Sequence, residues 1–356
     1  MSAPAAAREM TRTIAGVTTQ VVVFVLASLA VLALLLVATG HEPGRALSAL
    51  ASGALGSGYA ISSSVVRAIP LALAGLAVAV AFRAGLLNIG AEGQLLIGAS
   101  VACATGAAMG RAPGVLSLTA MLVAGSLAGA GWAFIAAELR RRFGVLEVIS
   151  TIMLNFIALS ITSWLVRGPL QEPTGLYPQS SMLPASQQLP MLLPGTRVHL
   201  GAAIAVVLAV GLWWWLRSTA SGFRLRAIGA NPFAAASAAQ ISVPRTVLQA
   251  FLLSGALAGL AGSVELTGVT YALFDNFSPG YGYTAIAVAL LARLNPLWVL
   301  GTALMFGALE AGAAAMQRDA AVPSVVVSVV EAALILMVVA ADRLQARSAS
   351  RAESGA

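Results

Sequence analysis

Three polar side chains lie close together in an otherwise apolar part of the chain, within FRAGLLNIGAEGQLLIGA at residues 82–99. They are Asn88, Glu92 and Gln94, and the apolar runs on either side are long enough to enter a bilayer. A carboxyl group at membrane depth costs about 2.5–3.5 kcal/mol on insertion scales, so it usually faces a bundle interior or an aqueous cavity. These residues are therefore candidates for lining or bracing a path through a membrane.

The composition defines the class of protein in which these residues act. Of the 356 residues, 59% are hydrophobic and 9% are charged, and the mean hydropathy is +0.90. A soluble domain has about 25% charged residues, so we interpret the chain as an integral membrane protein. Basic residues beside apolar spans set topology and meet anionic headgroups, so the net charge of +7 predicts a lipid membrane and no nucleic acid as partner.

All twenty basic residues are arginine. The absence of lysine excludes a phosphate-binding G-x-x-x-x-G-K-[ST] loop and a Schiff-base lysine, so the chain is expected to bind no nucleotide and no cofactor of its own. The single Cys103 excludes an intrachain disulfide, leaves the redox compartment open and is expected to be a small buried hydrophobe.

The apolar runs predict an all-α membrane protein with about ten spanning helices, because about 20 residues cross the hydrocarbon. The first run is longer than a signal-peptide core of about 7–15 residues, so we interpret it as a span. The second and eighth runs are short. Either they are discontinuous helices or their expected boundaries are off by several residues. The expected spans are residues 17–39, 68–82, 91–109, 115–137, 147–166, 199–216, 247–266, 280–292, 296–316 and 322–341.

The arginines predict the orientation. Ten spans place both termini on one side, which then holds fourteen arginines against six on the other side, Arg67 among the six. The positive-inside rule places both termini in the cytoplasm, across a plasma or inner membrane. The expected parts are a cytoplasmic tail at 1–16, a transmembrane domain at 17–342 and a cytoplasmic tail at 343–356.

Two segments outside the spans have an unusual composition. The external loop at 167–198 contains six prolines, which favours an extended, semi-rigid surface that either receives a partner or only connects two spans. The segment at 46–66 is rich in serine and glycine, and we expect it to be interfacial or external rather than spanning.

The cytoplasmic loop at 217–246 is expected to contain a short alanine-rich helix. Asn231 is a good N-cap, Pro232 suits a first helical turn and Val243-Pro244 is expected to end the helix after roughly ten residues. A helix this short is marginal alone, so it should pack on its own chain or on a partner.

Three motifs together resemble one protein family. LLNIGAEGQLLIGA at 86–99, EVISTIMLNFIA at 147–158 and RAIGANPFAAASAAQI at 226–241 closely resemble permease subunits of ATP-binding-cassette (ABC) importers. The branch takes up nucleosides and, in relatives, simple sugars or branched-chain amino acids. The resemblance covers about residues 15–342.

The resemblance implies a machine of several subunits. It implies ABC ATPase subunits that bind ATP and Mg, a second permease subunit that is identical or different, and an extracytoplasmic substrate-binding lipoprotein. The short helix would be the coupling helix that contacts the ATPase. Its expected residues are Gly229, Asn231, Pro232, Ala235, Ala236 and Ile241. Family members usually carry glycine near the end of this helix, where this chain has Gln240.

Further polar residues extend the expected substrate path. Asn155 lies deep in its span and should either touch solute or bond a neighbouring helix. Aromatic rings beside amides suit a nucleobase, although interfacial aromatic residues more often form a membrane belt. The expected path residues are Asn88, Glu92, Gln94, Asn155, Asn276 and Tyr281.

Two sequence patterns bear on helix packing. Residues 72–77 and 256–261 both read ALAGLA in helices expected to run in opposite directions, which suggests an inverted repeat with substrate at its interface. Glycine pairs spaced by four mark close helix packing. These pairs are Gly125 with Gly129 and Gly255 with Gly259.

The expected mechanism is alternating access driven by the ATPases, with nucleosides, then ribose-type sugars, then branched-chain amino acids as solutes. Two other classes remain open. An ion-coupled secondary transporter would use buried carboxyl groups such as Glu310 and Glu331, and would work without an ATPase. An intramembrane serine protease would need Ser100 and His199, but the first is in mid-span and the second at an outer edge.

Overall fold

The computed structural model of the chain describes residue 26 and residues 30–38, 40–110, 112–323, 325 and 329. The tails at 1–16 and 343–356, most of the first and tenth expected spans, and Glu331 lie outside these residues. The described helices, besides helical residues 30–38, are α1 (Pro43–Leu55), α2 (Gly58–Arg83), α3 (Ala91–Met109), α4 (Gly114–Phe143), α5 (Glu147–Val166), α6 (Gly201–Ser218), α7 (Ala220–Ala230), α8 (Pro232–Ala239), α9 (Val243–Glu265), α10 (Tyr281–Leu291) and α11 (Pro296–Asp319).

Six of the described helices are long and apolar enough to cross a membrane: α2, α4, α5, α6, α9 with its π-helical extension Leu266–Thr270, and α11. Helix α3 has the length of a span, but Glu92 and Gln94 in its first turn make it less apolar. The prediction of an all-α polytopic membrane protein is confirmed, and the count of ten spans is approximate.

Contacts between helix ends define two sides of the bundle. Arg83 at the end of α2 donates to the Leu294 carbonyl oxygen, 3.1 Å away, in the turn between α10 and α11. We call the side that carries residues 140–146 and 217–246 the basic side. The side that carries residues 167–200 is the opposite side.

Helix α2 is longer than the short span predicted at 68–82. It begins at Gly58 and contains 26 residues, so it is continuous and includes part of the segment at 46–66 that we expected to be interfacial. The serines there are tolerated because their hydroxyl groups bond backbone carbonyls, as Ser64 Oγ does to the Ala54 oxygen at 2.9 Å. The rest of that segment forms most of α1, which packs on α11.

The assignment of Arg67 to an external loop is also wrong. Arg67 lies nine residues after the start of α2, or about 14 Å along the helix. Its Nη1 atom is 3.7 Å from Oε2 of Glu310 on α11. A charged residue within a span is tolerated when it faces the bundle and has a partner, and Glu310 is that partner.

Helices α2 and α9 carry the two ALAGLA copies and run in opposite directions. They pack together, and Ser254 Oγ donates to the Ala77 oxygen at 2.8 Å. Each is followed by a non-helical segment, at 84–90 or 271–280, and then by another helix. Helix α10 has 11 residues and is only about 16 Å long, so the eighth span is short, as predicted. This order supports an inverted repeat.

Helices α3, α4 and α9 meet at glycine backbones. A Cβ atom at Gly98 would overlap the backbone of Gly259, and one at Gly129 would overlap the carbonyl oxygen of Gly255. The predicted close packing at the paired glycines is confirmed. Small residues here let backbones approach to contact distance, which is how membrane helices gain packing energy.

Candidate translocation centre

The N-termini of α3 and α10 meet inside the bundle. Gly282, the second residue of α10, lies so close to the start of α3 that a Cβ atom there would overlap the backbone of Glu92. A helix N-terminus carries about half a positive elementary charge. Two such ends at one place form an electropositive centre.

Glu92 lies between the two helix ends. It belongs to the first turn of α3, it is 6% exposed, and its Oε2 accepts a hydrogen bond from the Gly282 amide at 2.7 Å. On the same end of α10, the Ser278 hydroxyl accepts from the Gly280 and Tyr281 amides, both at 3.2 Å. A carboxyl group at this point offsets both helix dipoles and holds the two half-helices together.

Asn88 and Gln94 form a closed amide network. Asn88 Nδ2 donates to Gln94 Oε1 at 3.2 Å and to Ser254 Oγ at 2.9 Å, and Gln94 Nε2 donates back to Asn88 Oδ1 at 3.1 Å. Both amides are buried. Because Ser254 belongs to α9, the network ties the 84–90 segment and α3 to the second half of the repeat.

Asn155 on α5 joins three elements. Its Oδ1 accepts from the Gly93 amide at 2.9 Å, and its Nδ2 donates to the Ile89 oxygen at 3.0 Å and to the Tyr283 hydroxyl at 3.2 Å. Asn155 is 3% exposed, whereas Tyr283 is 40% exposed. The amide therefore holds an accessible aromatic ring beside the centre.

Four of the six expected path residues meet at this centre, and the other two do not share its contacts. Tyr281 begins α10 but turns to the buried carboxyl group of Glu265. Asn276 is exposed in the 271–280 segment on the opposite side. The six expected path residues therefore separate into four at the centre, one buried residue beside Glu265 and one surface residue.

Sequence reasoning left Ser254 and Ser278 out of this centre and placed Arg67 outside the spans. Arg67 had a detectable signal, because it is the only charged residue between positions 46 and 82. The two serines had none, because serine is common in this chain and the partner of Ser254, Asn88, is distant in sequence. Only the folded arrangement brings Ser254 within 2.9 Å of Asn88.

The residues proposed for a protease do not pair in the structure. Ser100 Oγ lies 3.1 Å from Thr162 Oγ1, and His199 Nδ1 accepts from the Gly201 amide at 3.2 Å. Each side chain is engaged with another element, so this geometry gives no support to a serine nucleophile with a histidine base.

The loop on the opposite side is hydrogen-bonded along the segment that leads to α10. Its amides at Ser180 and Leu183 donate to the Leu273 and Tyr271 oxygens, each at 2.7 Å. The amide of Leu189 donates to the Thr267 oxygen at 2.8 Å. A force on this loop would therefore reach the segment before α10 directly.

An ion pair on the opposite side gives a pH prediction. Arg167 Nη2 lies 2.5 Å from Asp275 Oδ2, and this bond holds the pKa of the Asp275 carboxyl below its usual range. The pair therefore stabilises the fold above the unfolded pKa of about 3.9, and the stabilisation is lost as pH falls through the lower folded value. We expect Asp275→Asn to lower the free energy of unfolding at pH 7 by no more than about 1 kcal/mol, and this difference should shrink as pH falls below about 3.9. A pH-independent difference would contradict this assignment.

The short helix on the basic side begins as predicted and ends earlier. Asn231 Oδ1 accepts from the Ala234 amide at 3.0 Å, which confirms the N-cap. The helix stops at Ala239, and Gln240 has a φ of +49°. Val243 and Pro244 begin α9 instead of ending α8, because proline fits a first turn. Glycine adopts this left-handed conformation without cost, so it would suit the position that Gln240 occupies in this chain.

Helix α8 exposes most of the side chains that the structure describes in it. Phe233 is 86% exposed, while Ala235 and Ile241 face the chain and are buried. Gly229 belongs to α7, not to α8, and a Cβ atom there would overlap the carbonyl oxygen of Arg83. Helix α7 therefore fastens α8 to the end of α2.

Comparison with known proteins gives consistent matches over most of the chain. A family model for the permease component of branched-chain amino acid transport systems matches residues 60–339. The guanosine ABC transporter permease protein NupP of Bacillus subtilis is 39% identical over 318 residues, 88% of this chain and 90% of the relative. The glucose ABC transporter permease protein TsgB13 of Haloferax volcanii is 38% identical, over 90% and 87% of the two chains.

A third relative, the nucleoside ABC transporter permease protein NupB of Lactococcus lactis, is 32% identical over 86% of each chain. No solved structure matches. The matched family covers well over half of the sequence, and the all-helical fold agrees with it. The resemblance seen in the motifs is thus confirmed: the chain belongs to the branched-chain amino acid transport system permease family of ABC transporters.

Proposed function

We propose that this chain is the membrane-spanning subunit of an ATP-driven importer for nucleosides, working by alternating access. Two relatives, NupP and NupB, are named as guanosine and nucleoside permeases, which supports this solute class. Without lysine the chain has no P-loop, so separate ATPase subunits bind ATP and Mg and drive it.

The observation that carries the ATP-driven mechanism is the exposed helix α8. An isolated helix of eight residues is unstable in water, yet among its described side chains at 232–237 only Ala235 is buried, and Phe233 is exposed. An exposed phenylalanine on a short capped helix suits insertion into a groove of another protein. The ATPase is the partner that this family requires.

The contacts suggest how movement of α8 reaches the translocation centre. Helix α7 rests on the Arg83 carbonyl at the end of α2 through Gly229. The next segment, 84–90, carries Asn88 and leads to Glu92 and α3. A push on α8 is therefore applied next to the segment that positions the two helix N-termini.

The two sides of the bundle face different compartments and different partners in this proposal. The basic side is cytoplasmic, with both termini there, and the membrane is the plasma or inner membrane. The substrate-binding lipoprotein docks on the 167–200 loop, whose hydrogen bonds lead toward α10. A second permease subunit, identical or different, completes the pathway.

The solute class is open to a direct alternative. TsgB13 is named as a glucose permease and is 38% identical, so a simple sugar is the second candidate. An accessible ring at Tyr283, held by the Asn155 amide, favours a nucleobase because it offers a stacking face beside a polar group.

The test is solute uptake by the complete transporter in proteoliposomes. Labelled guanosine, glucose and leucine are supplied with the binding protein outside and ATP inside. We expect guanosine to accumulate only when the ATPase and ATP are present. Preferential glucose uptake would replace the nucleoside assignment, and accumulation by the chain alone under a pH gradient would show a secondary transporter.

Replacement of Phe233 by aspartate tests the coupling role of α8. Loss of an aromatic hot-spot residue at a protein interface costs about 2 kcal/mol or more, so we expect solute-stimulated ATP hydrolysis to fall by at least about tenfold. Gln240→Gly is the matched control on the same segment, because glycine adopts a φ of +49° without strain and should leave stimulation intact. Normal stimulation in the Phe233 variant would contradict docking through α8.

A further inference from the structure

A cavity of about 260 Å³ opens on the basic side between the ends of several helices. Four arginines line it, from α2, α6, α7 and the turn before α11. They are Arg83, Arg217, Arg226 and Arg293. So many like charges at one cavity repel one another, and Arg83 interacts unfavourably with both Arg217 and Arg226.

Three of the four arginines have no carboxyl partner in the part of the chain that the structure describes. No described carboxyl group lies within ion-pair distance of Arg83, Arg217 or Arg226. Arg83 donates to a backbone oxygen, and Arg217 lies over the Trp213 ring with its Cζ 4.9 Å from the centroid. The Nε atom of Arg226 is buried and has no hydrogen-bond partner. A buried guanidinium donor without a partner leaves a free energy cost that an anion would remove.

We propose that this cavity binds a phosphate group, carried either by an anionic lipid headgroup or by free phosphate. Guanidinium groups bind phosphate oxygens through paired, charge-assisted hydrogen bonds. The position favours a lipid, because three spanning helices end here and an indole ring and apolar side chains form part of the wall.

Occupancy would stabilise the connection between α7 and the membrane bundle. Arg226 belongs to α7, and the other lining arginines belong to α2, α6 and the turn before α11. A phosphate between them would replace repulsion by shared attraction and fix α7 against the end of α2. Since α7 leads directly into α8, the bound anion would set how firmly the coupling segment is attached.

Thermal unfolding of the purified full-length chain in detergent tests the site. The midpoint is followed while dioleoylphosphatidylglycerol, dioleoylphosphatidylcholine or inorganic phosphate at constant ionic strength is added. We expect phosphatidylglycerol to raise the midpoint saturably and the phosphatidylcholine zwitterion to have little effect. Saturable protection by inorganic phosphate alone would also support the site and would identify free phosphate as its ligand.

The variant Arg226→Gln removes one lining charge, and Arg224→Gln is the matched control on the same helix. Arg224 is exposed and does not line the cavity. Loss of one charge-assisted contact should weaken the apparent affinity for the anion about tenfold in Arg226→Gln and leave it unchanged in the control. Each response is measured against that variant's own anion-free midpoint, so a general loss of stability does not imitate the effect.

Equal affinity in wild type and Arg226→Gln would overturn the proposal. So would the absence of any saturable response to either anion. Protection by the purified ATPase with no response to either anion would overturn it as well, because the arginines would then serve a protein contact. None of these results depends on which solute the transporter carries.

Discussion

Replacing Glu92 with alanine is expected to lower solute uptake by about tenfold, because leaving a buried amide donor unsatisfied costs about 1–3 kcal/mol. The change leaves the Gly282 amide without its 2.7 Å partner and leaves two helix N-termini facing each other with no carboxyl group between them. Helix α10 should then lose its fixed position against α3. Uptake by the reconstituted transporter, normalised to the amount of assembled complex, measures the effect.

The conservative variant Glu92→Gln separates the contribution of the hydrogen-bond acceptor from that of the carboxyl group. It keeps an oxygen that can accept from Gly282 but removes a carboxyl group, so we expect uptake between that of the alanine variant and wild type. Glu42→Gln is the control, because Glu42 is exposed and lies far along the chain from this centre. Wild-type uptake in Glu92→Ala would show that the carboxyl group neither lines nor braces the path.

The polar residues of the centre were visible in the sequence, but their partners were not. Asn88, Glu92 and Gln94 stand out because polar residues in an apolar run are costly unless they are satisfied. The partner of Glu92 is a backbone amide 190 residues away. Every residue except proline offers such an amide, so no residue type marks the one that is used.

Helix α2 shows why boundaries were harder to predict than spans. The serines at 62–64 and Arg67 made its first half look interfacial, since hydropathy counts each polar group as if it faced lipid. In the fold the hydroxyl of Ser64 bonds to a carbonyl of α1, and Arg67 pairs with Glu310. These partners come from other elements, so their effect is absent from a local sequence average.

The start of α8 was predictable and its end was not, for a related reason. Asn231 caps the helix through a bond to the amide three residues on, which is a local interaction encoded by neighbouring residues. The end depends on Gln240 adopting a left-handed conformation, which a glycine in the sequence would have predicted and a glutamine does not. Proline at 244 was compatible with both an end and a beginning.

The largest loss of stability is expected from Gly259→Leu. A Cβ atom at this position of α9 would overlap the Gly125 carbonyl oxygen and lie 2.9 Å from the Gly129 Cα atom, both on α4. Backbone atoms cannot change rotamer to make room, so α9 and α4 would have to separate along their contact. Overpacking usually costs about 1–3 kcal/mol, and an obstruction by backbone belongs at or above the upper end of that range.

Gly211→Leu is the matched control, because Gly211 lies in α6 and a Cβ atom added there would have no neighbouring atom within 4 Å. The two variants make the same change in composition and in helix propensity, so their difference reports packing alone. We expect Gly259→Leu to yield little monodisperse protein and a clearly lower thermal midpoint, with Gly211→Leu close to wild type. Because α9 also supplies Ser254 to the amide network, separation of α9 from α4 should disturb the translocation centre as well. Equal stability of the two variants would show that the glycine contact between α4 and α9 does not determine the packing of the bundle.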